Sequence, residues 1–201
     1  MMQKLLIATN NKGKVVELRD LLAELDVEVL GLAEFADVVE VAETGLTFAE
    51  NAALKASGYA RQTGNIALAD DSGLVVDALD GRPGVLSARY GGDEMPFSGK
   101  MSLLLDEISS AEGTDRTARF VCSIAIADSD GSILFSAEGK CEGRIADSPR
   151  GSGGFGYDPL FIPDGFDHTF GELELAIKQS ISHRSKAFQQ IIPFLRDFNV
   201  S

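Results

Sequence analysis

The fold class follows from residues 4–32, which read KLLIATNNKGKVVELRDLLAELDVEVLGL. The apolar run at residues 4–8 predicts a buried strand, and apolar side chains at helical spacing over residues 12–25 predict an amphipathic helix. Residues 27–32 return to a strand pattern. A β-α-β opening favours an α/β fold, so we expect a long mixed β-sheet flanked by helices.

Further helices are predicted along the rest of the chain. The segment Thr47-Phe48-Ala49-Glu50 fits a capping box, and a helix is expected to run from it to residue 59. Residues 98–108 also have a helical pattern. Apolar side chains share one helical face over residues 188–198, and Pro193 inside that pattern should kink or split the helix.

The remaining strands are predicted from apolar or alternating patterns at residues 66–69, 74–79, 117–127, 133–145 and 160–162. The first two of these are separated by the polar segment at residues 70–73, which is typical of a turn. A turn signal at residues 128–131 joins two longer strands, so we expect an antiparallel hairpin there.

The charge of the chain limits its partners. Its 201 residues include 18 Lys plus Arg and 31 Asp plus Glu, which gives a net charge of −13. This excess repels duplex nucleic acid and anionic membrane surfaces, so we expect neither as a partner. A small anion can bind only where the few cations are gathered. Length and average composition predict a single domain over residues 1–201.

The N-terminal segment and the cysteines indicate the compartment. The apolar stretch at residues 5–8 is too short for a signal peptide, and no apolar run approaches the ~18 residues of a membrane-spanning helix. Cys122 and Cys141 are not in C-x-x-C spacing, and nothing indicates an oxidising compartment. We therefore predict a cytoplasmic protein with reduced cysteines.

The first segment with possible chemistry is Thr9-Asn10-Asn11-Lys12-Gly13-Lys14, between a predicted strand and a predicted helix. Exposed amides at a helix N-terminus attract anions, and the two lysines add positive charge. The alternative is an ordinary polar helix cap with lysines that face solvent.

The second segment is Asp70-Asp71-Ser72-Gly73. Adjacent carboxylates at a strand end suit a hard cation such as Mg²⁺, which prefers oxygen ligands. Neighbouring side chains of an extended segment point in opposite directions, so one aspartate is expected to face a site while the other caps the turn. Glu43 is a further candidate ligand, and the alternative for all of these residues is a polar turn.

The third segment is a glycine-rich loop at residues 151–156, in which Gly151, Gly153 and Gly156 satisfy G-x-G-x-x-G. A dinucleotide site is rejected, because that motif should open a helix and here a strand follows. Phe155 in this loop could instead stack on a nucleobase, and the alternative is a core position.

The fourth segment is Ser182-His183-Arg184, with Lys178 upstream. A lone histidine is more often structural than catalytic, and this one precedes a predicted helix. Lys12 and Lys14 belong to the same set of cations. If folding gathers this set opposite Asp71 and Glu43, the result would be a site for a nucleoside triphosphate with Mg²⁺.

Five motifs occur in one order along the chain: Thr9-x-Asn11-x-x-Lys14, Ala69-Asp70-Asp71-Ser72-Gly73-Leu74, Pro83-Gly84-x-x-Ser87-Ala88-Arg89-Tyr90, Gly154-Phe155-Gly156-Tyr157-Asp158-Pro159 and Ser182-His183-Arg184. The set resembles the Ham1/RdgB inosine triphosphate pyrophosphatase family from residue 9 to about residue 187. This resemblance implies Mg²⁺-dependent hydrolysis of non-canonical purine nucleoside triphosphates (ITP, dITP and XTP) to the monophosphate and pyrophosphate. It also implies an α/β fold of two lobes, an active-site groove between them, and a homodimer.

The resemblance also implies residue roles. Glu43 and Asp71 would bind Mg²⁺, Asp71 would be the proton acceptor, Lys14 would neutralise charge, and Ser72 would contact the substrate. The triphosphate would be held by Thr9, Asn10, Asn11, Lys12, Gly13 and Lys14. The base pocket would be formed by Phe155, Gly156, Tyr157, Asp158, Lys178, His183 and Arg184.

The chain departs from the family pattern just before Lys178, and two alternative functions stay open. The family commonly has two glutamates directly before the lysine matched by Lys178, and here Ala176 and Ile177 replace them. The alternatives are a pyrophosphatase of the Maf type, which acts on modified pyrimidine nucleotides, and a non-catalytic nucleotide sensor. Base preference distinguishes the first alternative, and binding without turnover distinguishes the second.

Overall fold

The computed structural model describes residues 3–23, 25, 27–111 and 115–198. Its strands are β1 Gln3–Ile7, β2 Val27–Gly31, β3 Ile66–Val76, β4 Thr117–Ala127, β5 Ile133–Ile145 and β6 Phe161–Pro163. Its α-helices are α1 Lys12–Leu22, α2 Phe48–Thr63, α3 Phe97–Ser110, α4 Leu175–Ile181 and α5 His183–Phe198. The predicted β-α-β opening is confirmed.

The strands form one mixed sheet in the order β2-β1-β3-β4-β5-β6. Strand β1 is parallel to β2 and to β3, whereas β5 and β6 are antiparallel. The turn between β4 and β5 is closed by a hydrogen bond from the Asp128 amide to the Ser132 carbonyl at 2.9 Å. A parallel pair would need a crossover of about a dozen residues, so this turn produces the predicted antiparallel hairpin. The expected α/β fold with a mixed sheet is confirmed.

The predicted turn at residues 70–73 is wrong, because these residues lie inside the continuous strand β3. Eight of the eleven residues of β3 are buried, including Asp70 and Asp71. Polar residues in a buried strand need polar partners from elsewhere in the fold, and here those partners are distant in sequence. The local composition therefore suggests a turn where the fold has a core strand.

The predicted split of the last helix at Pro193 is also wrong, because α5 runs without interruption from His183 to Phe198. Pro193 removes one backbone donor, and the carbonyl that would have accepted its bond belongs to Gln189. Both residues are exposed, so water can satisfy that carbonyl. The opposite face of the helix is held by buried Phe188 and Ile191. The Phe198 side chain lies outside the described part of the structure.

The chain divides into two compact units. Unit 1 contains residues within Met1–Asp71, Cys122–Gly139 and Arg184–Ser201, and unit 2 contains Ser72–Val121 and Lys140–His183. The core of unit 1 includes Leu5, Ile7, Leu18, Phe188 and Ile191, together with an alanine-rich layer of Ala52, Ala56, Ala60, Ala67 and Ala69. The core of unit 2 includes Leu74, Leu104, Phe120, Phe161 and Phe170.

Two observations bear on the predicted compartment. Among the described residues, no helix combines the length and the apolar character that crossing a membrane requires. Cys122 and Cys141 are both buried and are not joined in a disulfide. Burial, and then the nearby Asp70 carboxylate, raise the pKa of the Cys122 thiol to about 12, so it stays protonated near neutral pH.

Candidate functional site

Asp70 is the centre of a buried network in unit 1. Its side chain is 0% exposed, and its Oδ2 atom lies 2.9 Å from Lys14 Nζ and 3.4 Å from Arg184 Nη2. Arg184 also pairs with the Glu17 carboxylate. The network therefore connects β3 with α1 and with the first turn of α5.

The electrostatics of this network keep Asp70 charged. Burial raises the pKa of an aspartate, but Lys14 and Arg184 outweigh burial and hold the pKa of Asp70 well below its usual range. Asp70 thus balances two cations in the interior of unit 1. It does not cap a turn, so the turn-capping role expected for one of the two aspartates is wrong.

Asp71 belongs to a separate cluster in unit 1, because successive side chains of a strand point to opposite faces. Lys55 Nζ lies 2.6 Å from Glu43 Oε1 and 3.2 Å from Asp71 Oδ1. The Asn51 side-chain amide donates a hydrogen bond to the other carboxylate oxygen of Asp71 at 3.2 Å. Glu43 and Asp71, the two predicted metal ligands, are therefore brought together around one ammonium group.

The surroundings of Asp71 tune its basicity. Burial raises the pKa of Asp71 above its usual value, Lys55 and Lys14 counteract it, and the like charge of Glu43 adds to the rise. Burial lowers the pKa of Lys55, but Asp71, Asp70 and Glu43 outweigh it, and the pKa lies above its ordinary value. Lys55 therefore stays charged, while Asp71 becomes a better proton acceptor than an ordinary aspartate.

The carboxylate oxygens around Lys55 are suitable ligands for a divalent cation. Among the described residues, no group of three or more His, Cys, Asp or Glu side chains is gathered as a ready-made metal cage. Mg²⁺ does not need one, because it is usually bound by one or two carboxylates together with waters and substrate phosphates. The oxygens of Glu43 and Asp71 already converge on one positive charge, so they fit this mode of binding.

The loop that carries Glu43 is fixed to the start of α2. The Gly45 amide donates to Asn51 Oδ1 at 2.7 Å, and Thr47 and Glu50 form the predicted capping box. A Cβ atom at Gly45 would lie 2.6 Å from the Cβ of Glu50 and 2.8 Å from Asn51 Oδ1. Only glycine permits this close approach, and the approach positions Glu43.

The segment at residues 9–14 forms the N-terminus of α1. The Asn11 side chain accepts hydrogen bonds from the Gly13 and Lys14 amides, and Thr9 Oγ1 accepts one from the Asn11 amide at 3.2 Å. Asn10 is exposed, and the side chain of Lys12 lies outside the described part of the structure. The predicted helix N-terminus is thus confirmed, with Lys14 Nζ held against Asp70.

A second cluster of predicted residues lies in unit 2. Phe155 is 36% exposed, so it is not a core residue. Lys178 Nζ lies 4.9 Å from the centre of the Phe155 ring and 2.7 Å from Asp158 Oδ2. The same Asp158 oxygen accepts the Phe155 amide at 2.7 Å. Gly154 has a φ of +70°, and an added Cβ there would collide with the Asp158 carboxylate.

Asp158 also explains how Lys178 is held without the family's glutamates. Its buried carboxylate fixes the Lys178 ammonium from a different segment of the chain, so acidic neighbours on α4 are not needed. Tyr157 is buried and donates its hydroxyl to the Ser87 carbonyl at 3.1 Å, with its ring edge-on to Phe97. Tyr157 and Asp158 therefore support the loop, while Phe155 is its partly exposed aromatic ring.

The other predicted residues are divided between the units. His183 and Arg184 are neighbours at the start of α5, but His183 belongs to unit 2 and Arg184 to unit 1. The His183 ring stacks on Phe120 at 4.8 Å, whereas Arg184 pairs with Asp70. Ser72 is half-buried in the unit 2 part of β3.

Lys55 and Asn51 were not among the residues predicted from the sequence. Both lie on α2, four residues apart and therefore on one helix face, and both are buried. Their four-residue spacing could have identified them from the sequence. Two polar residues on the buried face of an alanine-rich helix need polar partners.

Comparison with known proteins finds similar sequences and similar structures over nearly the whole chain. The model of the Ham1 family matches residues 5–194. A dITP/XTP pyrophosphatase of Desulforamulus reducens is 50% identical over 192 residues, which cover 96% of this chain and 95% of that protein. The corresponding enzyme of Nostoc sp. is 50% identical over 189 residues, 94% of this chain and 92% of that protein. The structure of a HAM1 protein from Coxiella burnetii superposes with a TM-score of 0.91 at 39% identity, covering 98% of this chain and 100% of that one.

Proposed function

We propose that this chain, which belongs to the Ham1 family, hydrolyses ITP, dITP and XTP to the nucleoside monophosphate and pyrophosphate. The relatives named above are dITP/XTP pyrophosphatases that match nearly the whole chain. The observation that carries the proposal is the cluster of Glu43, Lys55 and Asp71, in which two carboxylates converge beside a buried ammonium.

In the proposed reaction, Asp71 accepts a proton from the attacking water. The water oxygen forms a new bond to phosphorus, the bond between the α- and β-phosphoryl groups breaks, and pyrophosphate leaves. Asp71 suits this role because its pKa is raised, mainly by burial. Asn51 and Lys55 hold its carboxylate in place. We propose that Glu43 and Asp71 hold Mg²⁺, which would neutralise charge on the phosphates.

The cations of unit 1 are proposed to bind the triphosphate. The N-terminus of α1 favours anions, because its first amides and its dipole present positive charge. Partly buried Lys14 adds charge next to Asp70, and buried Lys55 adds charge next to Asp71. Phosphoanhydride hydrolysis needs this charge neutralisation more than it needs covalent chemistry.

The aromatic cluster of unit 2 is proposed to recognise the base. Phe155 offers a partly exposed ring for stacking, and Lys178 lies above that ring as a hydrogen-bond donor. A 6-keto purine presents an acceptor where adenine presents an amine. A donor fixed by Asp158 therefore favours hypoxanthine and xanthine, and a mismatch would leave a buried polar group unsatisfied.

Phe155→Ala should raise KM for dITP by about tenfold while kcat changes little. Stacking on one base contributes about 1–3 kcal/mol, and an interaction equal in the ground and transition states affects KM alone. Steady-state kinetics measure both constants. Leu175→Ala, which truncates another exposed apolar side chain in unit 2, is the control and should leave both constants unchanged. An unaltered KM in Phe155→Ala would contradict the stacking role.

Lys55→Met should move the acidic limb of the kcat/KM pH profile to higher pH. The Lys55 ammonium lowers the pKa of Asp71, and without it burial and Glu43 raise that pKa further. Asp71 accepts a proton only when it is ionised, so a higher pKa demands a higher pH. Lys186→Met removes an exposed lysine of unit 1 and should leave the profile in place. A profile unchanged in Lys55→Met would show that Lys55 does not act on Asp71.

We also propose a cytoplasmic homodimer that does not bind nucleic acid or membranes. Exposed apolar side chains such as Val39 and Leu46 supply surface that a second copy would cover. The net charge of −13 opposes binding to polyanions. Light scattering on the purified protein measures the mass in solution, and a monomer at micromolar concentration would contradict the dimer.

A product assay tests the proposed function. Purified protein with Mg²⁺ is given ITP, dITP, XTP and the standard nucleoside triphosphates, and pyrophosphate and orthophosphate are measured separately. Pyrophosphate from the first three substrates, with little from the standard ones, is the expected result. Preference for modified pyrimidine nucleotides would favour the Maf-type alternative. Tight binding of dITP without turnover would favour a sensor.

A further inference from the structure

Unit 2 contains a surface cavity of about 390 Å³ with three arginines in its wall. Arg116 lies just before β4, Arg144 is in β5, and Arg150 follows β5 in the chain. Buried Ile145 and Ile162 also line this arginine cavity. The lining residues belong to neither of the two clusters described above. The chain has only 18 basic residues against 31 acidic ones. Three arginines around one cavity therefore indicate an anionic ligand.

Two of the arginines are anchored by backbone acceptors. Arg116 Nη1 donates to the Ala146 carbonyl at 3.0 Å, and Arg150 Nη2 donates to the Asp167 carbonyl at 3.1 Å. Arg150 Nε is buried without a hydrogen bond among the described residues, and its contact to Glu172 Oε2 is an ion pair at 3.5 Å. The guanidinium groups of Arg116 and Arg150 are thus held in place. The three arginine side chains are 27–47% exposed, so their outer N–H groups can reach a ligand in the cavity.

Two acidic residues of the cavity wall, Asp147 and Asp167, have weakly held carboxylates. Arg116 Nε lies 3.1 Å from Asp147 Oδ1, and the Asp147 side chain is 91% exposed. Arg144 Nη2 lies 3.6 Å from Asp167 Oδ1, and the Asp167 side chain is 98% exposed. Ion pairs at such exposed positions contribute little stability, so a multiply charged anion can displace them.

We propose that the arginine cavity binds a phosphoryl anion, either free pyrophosphate or the phosphate of a nucleoside monophosphate. A planar guanidinium matches phosphoryl oxygens with two parallel hydrogen bonds, and several arginines around one cavity can neutralise a dianion. The cavity volume has room for either ligand. The proposal uses none of the residues assigned to hydrolysis, so it stands independently of the proposed function.

Nuclear magnetic resonance on the whole 201-residue chain tests this site. Pyrophosphate and IMP are titrated separately in buffer with EDTA while the arginine Nε–Hε signals are followed. We expect saturable shifts of the Arg116 and Arg150 signals at millimolar ligand, and the tighter ligand identifies the natural source of the anion. Arg144→Gln should raise Kd roughly tenfold, because a hydrogen bond to a charged group is lost.

Arg196→Gln is the matched control, since it removes the same charge from an exposed position on α5 in unit 1. It should leave Kd unchanged, and Arg144→Gln should hydrolyse dITP at the wild-type rate. Three results would overturn the proposal: no saturable shift, equal weakening in both variants, or loss of turnover in Arg144→Gln. An inactive wild-type protein with an intact anion site would refute the proposed function alone.

Discussion

Asp71→Asn should reduce the rate of pyrophosphate release from dITP at least about a hundredfold while the fold stays intact. An amide cannot accept the proton of the attacking water, and a positioned general base contributes roughly 10²–10⁴-fold to rate. The fold should tolerate the change, because burial already disfavours the charged form of Asp71. Lys55 also keeps its ion pair with Glu43 at 2.6 Å.

The measurement is kcat at saturating dITP and Mg²⁺, together with thermal unfolding of the same sample. Asp37→Asn, at an exposed position of unit 1, is the matched control and should retain full activity. If Asp71→Asn retained substantial activity with a normal unfolding transition, Asp71 would not be the base. The rate could then rest on Glu43, and Glu43→Gln would become the next variant.

The sequence predicts those parts of the fold that depend on local patterns. The β-α-β opening, the capping box of α2 and the β4–β5 hairpin all appear where periodicity and turn chemistry placed them. Each is determined by residues within a few positions of one another. The strand through Asp70 is different, because its polar residues are compatible with burial only through Lys14 and Arg184, and Arg184 is 114 residues away.

The same distinction applies to the candidate site. Asp71 and Phe155 could be predicted because they lie in the motifs, and Glu43 because the family resemblance assigns it a role. The structure shows Glu43 and Asp71 around one ammonium and Phe155 partly exposed. Lys55 could not be predicted from the motifs, since its role depends on two carboxylates from other segments. The support of Lys178 by Asp158 is likewise a tertiary contact that replaces an expected local one.

Asp70→Asn should lower the free energy of unfolding by about 3 kcal/mol, because removing one partner of a buried ion pair leaves the other charge uncompensated. Lys14 would lose its carboxylate at 2.9 Å, and Arg184 would keep its ion pair with Glu17. Urea unfolding measures the change. Asp77→Asn is the control, since it removes a partly exposed pair with Arg119 and should cost less than about 1 kcal/mol.

The free energy of unfolding of wild type and of Asp70→Asn should also be compared as a function of pH. This comparison distinguishes a loss of charge interactions from a loss of packing. The pKa of Asp70 is lower in the folded state, because Lys14 and Arg184 outweigh the effect of burial. Its stabilising contribution is therefore fully present above about pH 4, the range of an unfolded aspartate, and is lost as the pH falls through the folded value. The difference between wild type and Asp70→Asn should stay constant from pH 8 to about pH 5 and shrink in stronger acid. A difference independent of pH throughout would mean that the loss comes from packing, and that Asp70 does not hold Lys14 and Arg184 by its charge.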